Sequence, residues 1–243
     1  MNQGNDSYTI QWRQWQDDCQ ALGVSVSEVQ RTQFERVYEH LIEANRTVNL
    51  TRITAPEEFL YRHLLDSLTL SPLIPSNARL ADIGSGAGFP SIPLAIARPD
   101  VTVTAVESIG KKCKFIQDTK DKLELANLSV LNARSEDLSR KAESREAFDV
   151  VTARAVAALP TLLELCLPLV RPGGLFLAMK GLSYEEELNA SAKALKTLGG
   201  RFKEVQSFPH PRLEGSRLLV IEKVARTPDA YPRSAGLPGK KPL

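Results

Sequence analysis

A short glycine-rich segment, Asp82-Ile83-Gly84-Ser85-Gly86-Ala87-Gly88-Phe89-Pro90, carries the clearest chemical signal in the sequence. Glycines permit tight turns and let the backbone approach a ligand closely. The segment follows a predicted strand and precedes a predicted helix, as nucleotide-binding loops do. Its third glycine comes one residue earlier than the dinucleotide fingerprint Gly-x-Gly-x-x-Gly requires, and Phe89 stands where that glycine would be. The spacing therefore predicts a ligand-binding turn headed by an acid, but not a pyrophosphate cradle.

Further polar side chains follow the other predicted strands. Glu107 ends the second strand, about twenty residues past the loop, where a carboxylate can accept hydrogen bonds from ribose hydroxyls. Ser135 and Glu136 follow the third strand and could border a nucleobase, although Ser-Glu is also a common helix start. Arg154 ends the fourth strand and Lys180 the fifth, at the edge where parallel strands bind ligands. Either cation could instead pair with a neighbouring acid or reach solvent.

The spacing Asp-x-Gly-x-Gly-x-Gly resembles motif I of methyltransferases that use S-adenosylmethionine (SAM). SAM carries a sulfonium and an amino-acid tail in place of a pyrophosphate, and an acid at the strand end suits such a cation. The fourth strand is not followed by Asn/Asp-Pro-Pro-Tyr/Phe, which holds exocyclic amines, and the chain has no Pro-Cys pair for covalent attack on pyrimidines. The resemblance implies cofactor contacts at Asp82, Gly84, Gly86, Gly88, Phe89, Glu107, Ser135, Glu136 and Arg154.

The elements that must position these residues alternate between strands and helices. Short apolar runs predict strands at Arg79–Ile83, Val101–Glu107, Leu128–Asn132, Phe148–Ala153 and Gly174–Lys180, separated by stretches with helical spacing. Such alternation implies a parallel sheet with helices on both faces. Phe202–Pro209 and Arg217–Val224 follow each other without a helix and predict an antiparallel hairpin. The predicted fold is α/β, a Rossmann-like SAM-dependent methyltransferase with a mostly parallel seven-stranded sheet closed by that hairpin.

This core is predicted to lie between two other segments. Residues 1–70 predict an N-terminal helical extension, in which Ser25–Glu28 and Thr54–Glu57 fit capping boxes. One buried helical face is predicted at Phe34, Val37, Tyr38, Leu41 and Ile42. Residues 71–225 form the predicted SAM-binding core. Residues 226–243 form a basic Pro/Gly-rich tail that is predicted to be neither helix nor central strand.

The composition excludes several classes of protein. The 243 residues are 42% hydrophobic and 25% charged, which excludes disordered, collagen-like and membrane-spanning chains. The net charge of +2 says little about partners, and no protein partner can be inferred. Met1–Thr9 lacks the basic flank and apolar run of a signal peptide. Three cysteines without a CxxC pair predict a reduced, cytoplasmic chain with no disulfide framework and no metal site.

Taken together, these motifs resemble the bacterial RsmG family, also called glucose-inhibited division protein B, of 16S ribosomal RNA guanine-N7 methyltransferases. The resemblance covers nearly the whole chain. Its most specific part is the prefix Arg62-His63-Leu64-Leu65-Asp66-Ser67 combined with Ala153-Arg154-Ala155. The segments that also carry it are Asn49-Leu50-Thr51, the glycine loop, Glu107-Ser108, Lys111-Lys112, Arg134-Ser135-Glu136-Asp137 and Lys180-Gly181.

The resemblance implies an activity and a set of contacts. The expected reaction is direct in-line transfer of a methyl group from SAM to N7 of one guanine, in 16S rRNA or a small-subunit particle. Family cofactor contacts fall on Gly84, Phe89, Ser135, Glu136 and Arg154. Many relatives have a small apolar residue in place of Ser135, a change that a backbone contact would survive. Arg154 and Lys180 are expected to position the reacting groups rather than act as acids.

Basic residues in loops, and not a uniformly basic surface, are expected to contact RNA. The candidates are Arg46, Arg52, Arg62, His63, Lys111, Lys112, Arg233, Lys240 and Lys241. Lys111 and Lys112 are equally typical of a solvated helix face, and Arg62 could simply pair with Asp66 at i+4. Two other functions stay open from the residues alone: a SAM-dependent methyltransferase of a small metabolite, and a non-catalytic RNA-binding regulator that retains the fold.

Overall fold

A computed structural model describes residues 3–243, with side chains from residue 11 onward. The side chains of Met1–Thr9, for which the sequence predicts no signal peptide, lie outside the described residues. Seven strands form one sheet in the order β3-β2-β1-β4-β5-β7-β6, in which β7 runs antiparallel to both of its neighbours. The strands are β1 (Arg79–Ile83), β2 (Thr102–Glu107), β3 (Leu128–Asn132), β4 (Phe148–Arg154), β5 (Val170–Lys180), β6 (Gly200–Gln206) and β7 (Arg217–Lys223). This confirms the predicted α/β fold with its closing hairpin.

The largest difference from the predicted strands is at β5, which begins at Val170 rather than Gly174. Val170 pairs with Phe148 before the register with β4 shifts, so the strand includes an irregular start that apolar patterning does not reveal. Beyond the shift, the parallel register brings Arg154 opposite Met179, next to Lys180. The carboxyl ends of β4 and β5 therefore lie side by side, as the site requires.

Helices cover both faces of the sheet. In the core they are α5 (Ser91–Ala97), α6 (Gly110–Lys122), α7 (Ser135–Leu138), α8 (Leu159–Cys166), α9 (Tyr184–Asn189) and α10 (Ala192–Leu198). Successive strand residues point to opposite faces, so Leu80 joins one apolar cluster and Ala81 the other. Among the described residues, no helix has the length and apolar composition needed to cross a bilayer.

An N-terminal extension packs on the first of these clusters. Its helices are α1 (Gln3–Ala21), α2 (Glu28–Asn45), α3 (Pro56–Glu58), a π-helix (Phe59–Leu65) and α4 (Asp66–Leu68), and a 3-10 turn follows at Ser71–Leu73. A second 3-10 turn, Pro211–Leu213, lies in the loop between β6 and β7. Trp15 packs edge-to-face on Phe34, with ring centroids 5.5 Å apart. Both rings are buried. These contacts fix α1 against α2 and both helices against the core.

Both predicted capping boxes were wrong. The box at the start of α2 joins Ser27 to Gln30: the Ser27 hydroxyl accepts from the Gln30 amide, and the Gln30 side chain accepts from the Ser27 amide. The Ser25–Glu28 pair is therefore two residues too early. At α3, Ala55 is the N-cap and makes no side-chain bond, because the helix begins with Pro56.

Residues 226–243 pack along the second apolar cluster. Tyr231 and Leu243 contact that cluster, and Pro238 is buried. The guanidinium of Arg145 donates to the Tyr231 and Thr227 carbonyls. One helical turn, α11 (Leu237–Lys240), forms within the segment. The expectation of no helix was wrong there, because proline is tolerated in a first turn.

Candidate active site

The glycine loop turns sharply between β1 and α5. Gly84, Gly86 and Gly88 all have positive φ angles, a region that side-chain-bearing residues rarely adopt. A Cβ added at Gly84 would lie 2.5 Å from Val156 Cγ2, and one at Gly88 would overlap Ile92. A Cβ at Gly86 would meet nothing closer than 3.9 Å. The positive φ angles favour glycine at all three positions, packing adds a constraint at Gly84 and Gly88, and Gly86 leaves the loop open toward a cleft.

Glu107 lies across from this loop with both carboxylate oxygens held by backbone amides. Its Oε2 accepts from the Gly86 amide at 2.9 Å and its Oε1 from the Ile109 amide at 2.8 Å. The side chain is buried, yet it borders an open cleft of about 430 Å³ together with Gly84 and Phe89. Each oxygen retains a lone pair, so the carboxylate can accept hydrogen bonds from a pair of hydroxyls in the cleft.

Asp82 does not reach the cleft. It is fully buried beneath the loop, where one oxygen accepts from the Ser91 hydroxyl and the other, Oδ1, has no partner. Burial raises the pKa of this carboxyl to about 6, against the lowering effect of the Ser91 and Ser85 hydroxyls. Asp82 therefore braces the loop from below, and any attraction to a cationic ligand acts through the loop rather than by contact.

A smaller cavity of about 150 Å³ adjoins the cleft and shares Gly84 and Val156 with it. Ser135 and Glu136 line this cavity, together with the apolar side chains of Ile83, Val106 and Leu165. The Ser135 hydroxyl donates to the Leu165 carbonyl, and Glu136 Oε1 accepts from the Gly236 amide at 2.9 Å. The tail thus secures one wall of a slot that is partly apolar and rimmed by polar groups.

Phe89 forms the opposite wall of the main cleft by stacking on His63. The two rings are 4.2 Å apart and nearly parallel, at 9°. The Arg154 guanidinium lies 6.0 Å from the centre of the Phe89 ring. Arg154 also donates through Nη1 to Asp66 Oδ2 at 3.1 Å and through Nη2 to His63 Nδ1 at 3.1 Å. The motif in the helical prefix and the arginine after β4 therefore form one cluster.

The π-helix makes a further contact of Arg154 possible. The Asp66 amide donates to the Tyr61 and His63 carbonyls, so it does not use the Arg62 carbonyl as an α-helix would. Arg154 Nη1 donates to that Arg62 carbonyl at 2.8 Å. Wide turns of this kind often occur at functional sites, and here the turn provides an acceptor for a guanidinium that strand β4 presents.

Lys180 is already engaged by neighbouring groups. Its ammonium donates to Glu187 at 2.5 Å and to the Ala157 carbonyl at 3.0 Å. The same Glu187 oxygen accepts from the Leu159 amide at the start of α8. Lys180 therefore fixes the loop that follows Arg154, and its charge is matched by a carboxylate.

A second open cleft of about 490 Å³ lies beyond Arg154. Its charged and imidazole lining consists of Arg62, His63, Arg154, Lys180 and Arg212 together with one acid, Asp66. A cavity of about 220 Å³ beside it adds Arg217. Arg212 and Arg217 come from the hairpin loop and β7 and were not predicted, because no residue pattern in that loop indicates that it folds back to the strand ends. Arg154 separates this basic cleft from the glycine-loop cleft and borders both.

The remaining basic candidates are dispersed. Arg46, Arg52, Lys111, Lys240 and Lys241 are exposed, and Lys112 borders the glycine-loop cleft. Arg233 differs from these exposed residues because its guanidinium is engaged in an ion pair with the fully buried Glu164 of α8. The structure thus brings Arg62, His63 and Lys112 to the clefts. Arg233, Lys240 and Lys241 lie in the C-terminal segment, which packs along the second apolar cluster, and line neither cleft.

Comparison with known proteins gives a consistent result. Residues 30–216 match the family model described as GidB, rRNA small subunit methyltransferase G. The chain is 46% identical to ribosomal RNA small subunit methyltransferase G of Desulfitobacterium hafniense over 92% of this chain and 94% of that protein. It is 44% identical to the Bacillus subtilis protein of the same name, over 91% and 94% of the two chains.

Solved structures share the fold at lower identity. Crystal structures of M. jannaschii TYW2 in complex with AdoMet and of a 16S rRNA adenine-N1 methyltransferase from Catenulisporales acidiphilia both align with a TM-score of 0.52. Their identities are 17% and 16%, over 65% and 62% of this chain and 75% and 90% of theirs. The aligned share of this chain is about the size of the segment from β1 to β7, which contains the sheet and the helices that cover it.

Proposed function

Since this chain belongs to the GidB family of small-subunit rRNA methyltransferases, we propose that it methylates N7 of one guanine in 16S rRNA. The enzyme is an rRNA methyltransferase that depends on S-adenosylmethionine. The position of the methyl group on the base is the finer part of the proposal. It is supported by the chemistry of the side chains that separate the two clefts.

The residues around the glycine loop suit the cofactor. Glu107 offers two rigid acceptors for ribose hydroxyls, the cavity beside Ser135 and Glu136 suits the adenine, and the open space at Gly86 lets the ligand lie against the backbone. When bound, S-adenosylmethionine supplies a methyl group on a cationic sulfonium that leaves as a neutral thioether. Phe89, stacked on His63, contributes an apolar part of the cleft lining.

The observation that carries the proposal is that the acidic, basic and imidazole side chains between the clefts are bound to one another in ion pairs and hydrogen bonds. In the described part of the chain, His63, Asp66, Arg154, Lys180 and Glu187 are all engaged with one another or with backbone groups. Guanine N7 has an in-plane lone pair and no proton to lose, so its methylation needs no general base. An exocyclic amine must lose a proton when it is methylated, and the carboxylates that could accept that proton are already paired with Arg154 and Lys180.

The cations at this edge are matched by acids. Arg154 pairs with Asp66 and Lys180 with Glu187. Because positive charge moves onto the guanine during transfer, an unpaired cation beside N7 would destabilise the transition state. Arg154 and Lys180 therefore act as positioning residues, which keep the strand ends in place so that N7 can lie about 3–3.5 Å from the methyl carbon. The basic cleft beyond Arg154 receives the RNA.

The test is methylation of small-subunit particles and of free 16S rRNA that lack the modification, with isotopically labelled SAM. The RNA is digested to nucleosides, and chromatography with mass spectrometry separates 7-methylguanosine from its N1 and N2 isomers. We expect label only in 7-methylguanosine. Label in another isomer would refute the proposed position, and label in small metabolites but not in RNA would refute the substrate class.

A further inference from the structure

The segment Asn49-Leu50-Thr51 has no role in the function described so far. It follows α2, whose last residue, Asn45, holds it in place. Asn45 Oδ1 accepts from the Leu50 amide at 2.8 Å and from the Thr51 amide at 3.1 Å, and its Nδ2 donates to the Thr51 carbonyl at 3.0 Å. The backbone of Thr51 is therefore rigidly positioned at the wall of the glycine-loop cleft, which its side chain borders.

Hydrogen bonds from His63 and Ile53 determine what the Thr51 hydroxyl can do. Arg154 Nη2 has only protons to offer, so His63 Nδ1 must be the acceptor in that contact and Nε2 must carry the proton. His63 Nε2 lies 3.2 Å from Thr51 Oγ1 and therefore donates to it. Burial and the neighbouring Arg154 lower the pKa of His63 to about 3, consistent with a neutral ring.

Thr51 Oγ1 also accepts from the Ile53 amide at 3.1 Å. A hydroxyl oxygen has two lone pairs and one proton, so these two contacts leave it able only to donate. Within the described residues, no protein acceptor bonds to this proton. A partner from the cleft must therefore be an acceptor, which excludes an ammonium group.

The position of Thr51 in the cleft indicates which acceptor of a bound cofactor could receive this proton. With adenine beside Ser135 and Glu136 and ribose at Glu107, the amino-acid end of the cofactor extends toward the wall formed by Thr51 and His63. That end carries an ammonium and a carboxylate, and only the carboxylate accepts. We propose that the Thr51 hydroxyl, held by Asn45 and His63, donates a hydrogen bond to the carboxylate of the S-adenosylmethionine amino-acid tail. This proposal rests on the proposed function, whose cofactor it concerns.

Calorimetric titration with two nucleosides tests the assignment. S-adenosylhomocysteine has the amino-acid tail, whereas 5′-methylthioadenosine lacks it. We expect Thr51→Val to weaken S-adenosylhomocysteine binding about tenfold or more, as a hydrogen bond to a charged group would, and to leave methylthioadenosine binding unchanged. Thr51→Ser keeps the hydroxyl and should bind both like the wild type. Thr54→Val, the same change at an exposed position of the same loop, is the matched control and should change neither affinity.

Three results would overturn the proposal: equal losses for both nucleosides, no loss for either, or a loss of S-adenosylhomocysteine binding in Thr51→Ser as large as in Thr51→Val. Thermal melting of each variant shows that it is folded, and if Thr51→Val does not fold, Thr51→Ala, which also lacks the hydroxyl, takes its place in the same comparison with Thr51→Ser. A wild-type protein that binds neither nucleoside would contradict the cofactor assignment itself. Failure of the two proposals is therefore distinguishable.

Discussion

Replacing Asp82 with asparagine should remove part of the pH dependence of the protein's stability. Asp82 is fully buried and has one oxygen without a partner. Burial raises the pKa of its carboxyl from 3.8 to about 6. Between these values the folded protein binds more protons than the unfolded chain does. Stability therefore falls as pH rises from about 4 to about 6, and the destabilisation is complete above that range.

The size of the effect follows from the shift in pKa. About two pKa units correspond to about 3 kcal/mol. The unfolded carboxyl is already mostly ionised at pH 4.5 and the folded one is not, so about 1 kcal/mol of the effect is present there and about 2 kcal/mol falls between pH 4.5 and 7.5. Asparagine keeps an oxygen that can accept from Ser91 but carries no charge. The stability of Asp82→Asn relative to wild type should thus rise by about 2 kcal/mol across that pH range.

Urea unfolding followed by circular dichroism, at fixed ionic strength and at several values between pH 4.5 and 7.5, measures this difference. Asp100→Asn serves as a control, because the pKa of Asp100 is lowered rather than raised. The hydrogen bond from Arg98 lowers the pKa of Asp100 to about 2, so Asp100 titrates below this range in both states. Its variant should differ from wild type by a constant amount. A constant difference for Asp82→Asn as well, or one that shrinks toward pH 7.5, would refute the reasoning.

Three other variants test the site. Glu107→Ala should weaken SAM binding at least tenfold, since a charge-assisted hydrogen bond is worth about 1.5–3 kcal/mol; unchanged affinity by calorimetric titration in a folded variant would remove Glu107 from the cofactor site. Arg154→Ala should lower the single-turnover methylation rate more than it lowers the melting temperature, and a normal rate would contradict its positioning role. Deleting residues 226–243 should lower both the melting temperature and SAM affinity, because Gly236 donates to Glu136; an unchanged SAM affinity would show that the tail does not support the cleft.

The sequence predicted the parts of the site that depend on local pattern. Apolar runs located the strands, and the loop glycines were recognisable because their φ angles and packing admit few other residues. Glu107 and Arg154 could be assigned to the ligand edge because the ends of parallel strands meet there. The strand order then brought them together as expected for this fold.

Features that depend on long-range contact were not predictable. Arg154 and Asp66 are 88 residues apart, and nothing in either segment indicates their ion pair. The π-helix has no distinctive sequence pattern, since its residues also suit an ordinary amphipathic helix. The basic tail was interpreted from composition as a surface for RNA, yet Arg233 faces Glu164. One signal was present: an acid within the leucine-rich run of α8 needs a cation, and Arg233 is the cation that reaches it.

The pairing of Glu164 with Arg233 also bears on how the protein is made. Chains leave the ribosome from the N-terminus, and domains begin to fold as they emerge. Glu164 is synthesised 69 residues before its partner, and all seven strands are complete before Arg233 appears. Until then the nascent domain must keep α8 loosely packed, bury a carboxylate without a counterion, which is costly, or keep the carboxyl protonated. The buried carboxylate of Glu164 therefore gains its counterion only from a residue that belongs to no strand and is synthesised after the whole sheet.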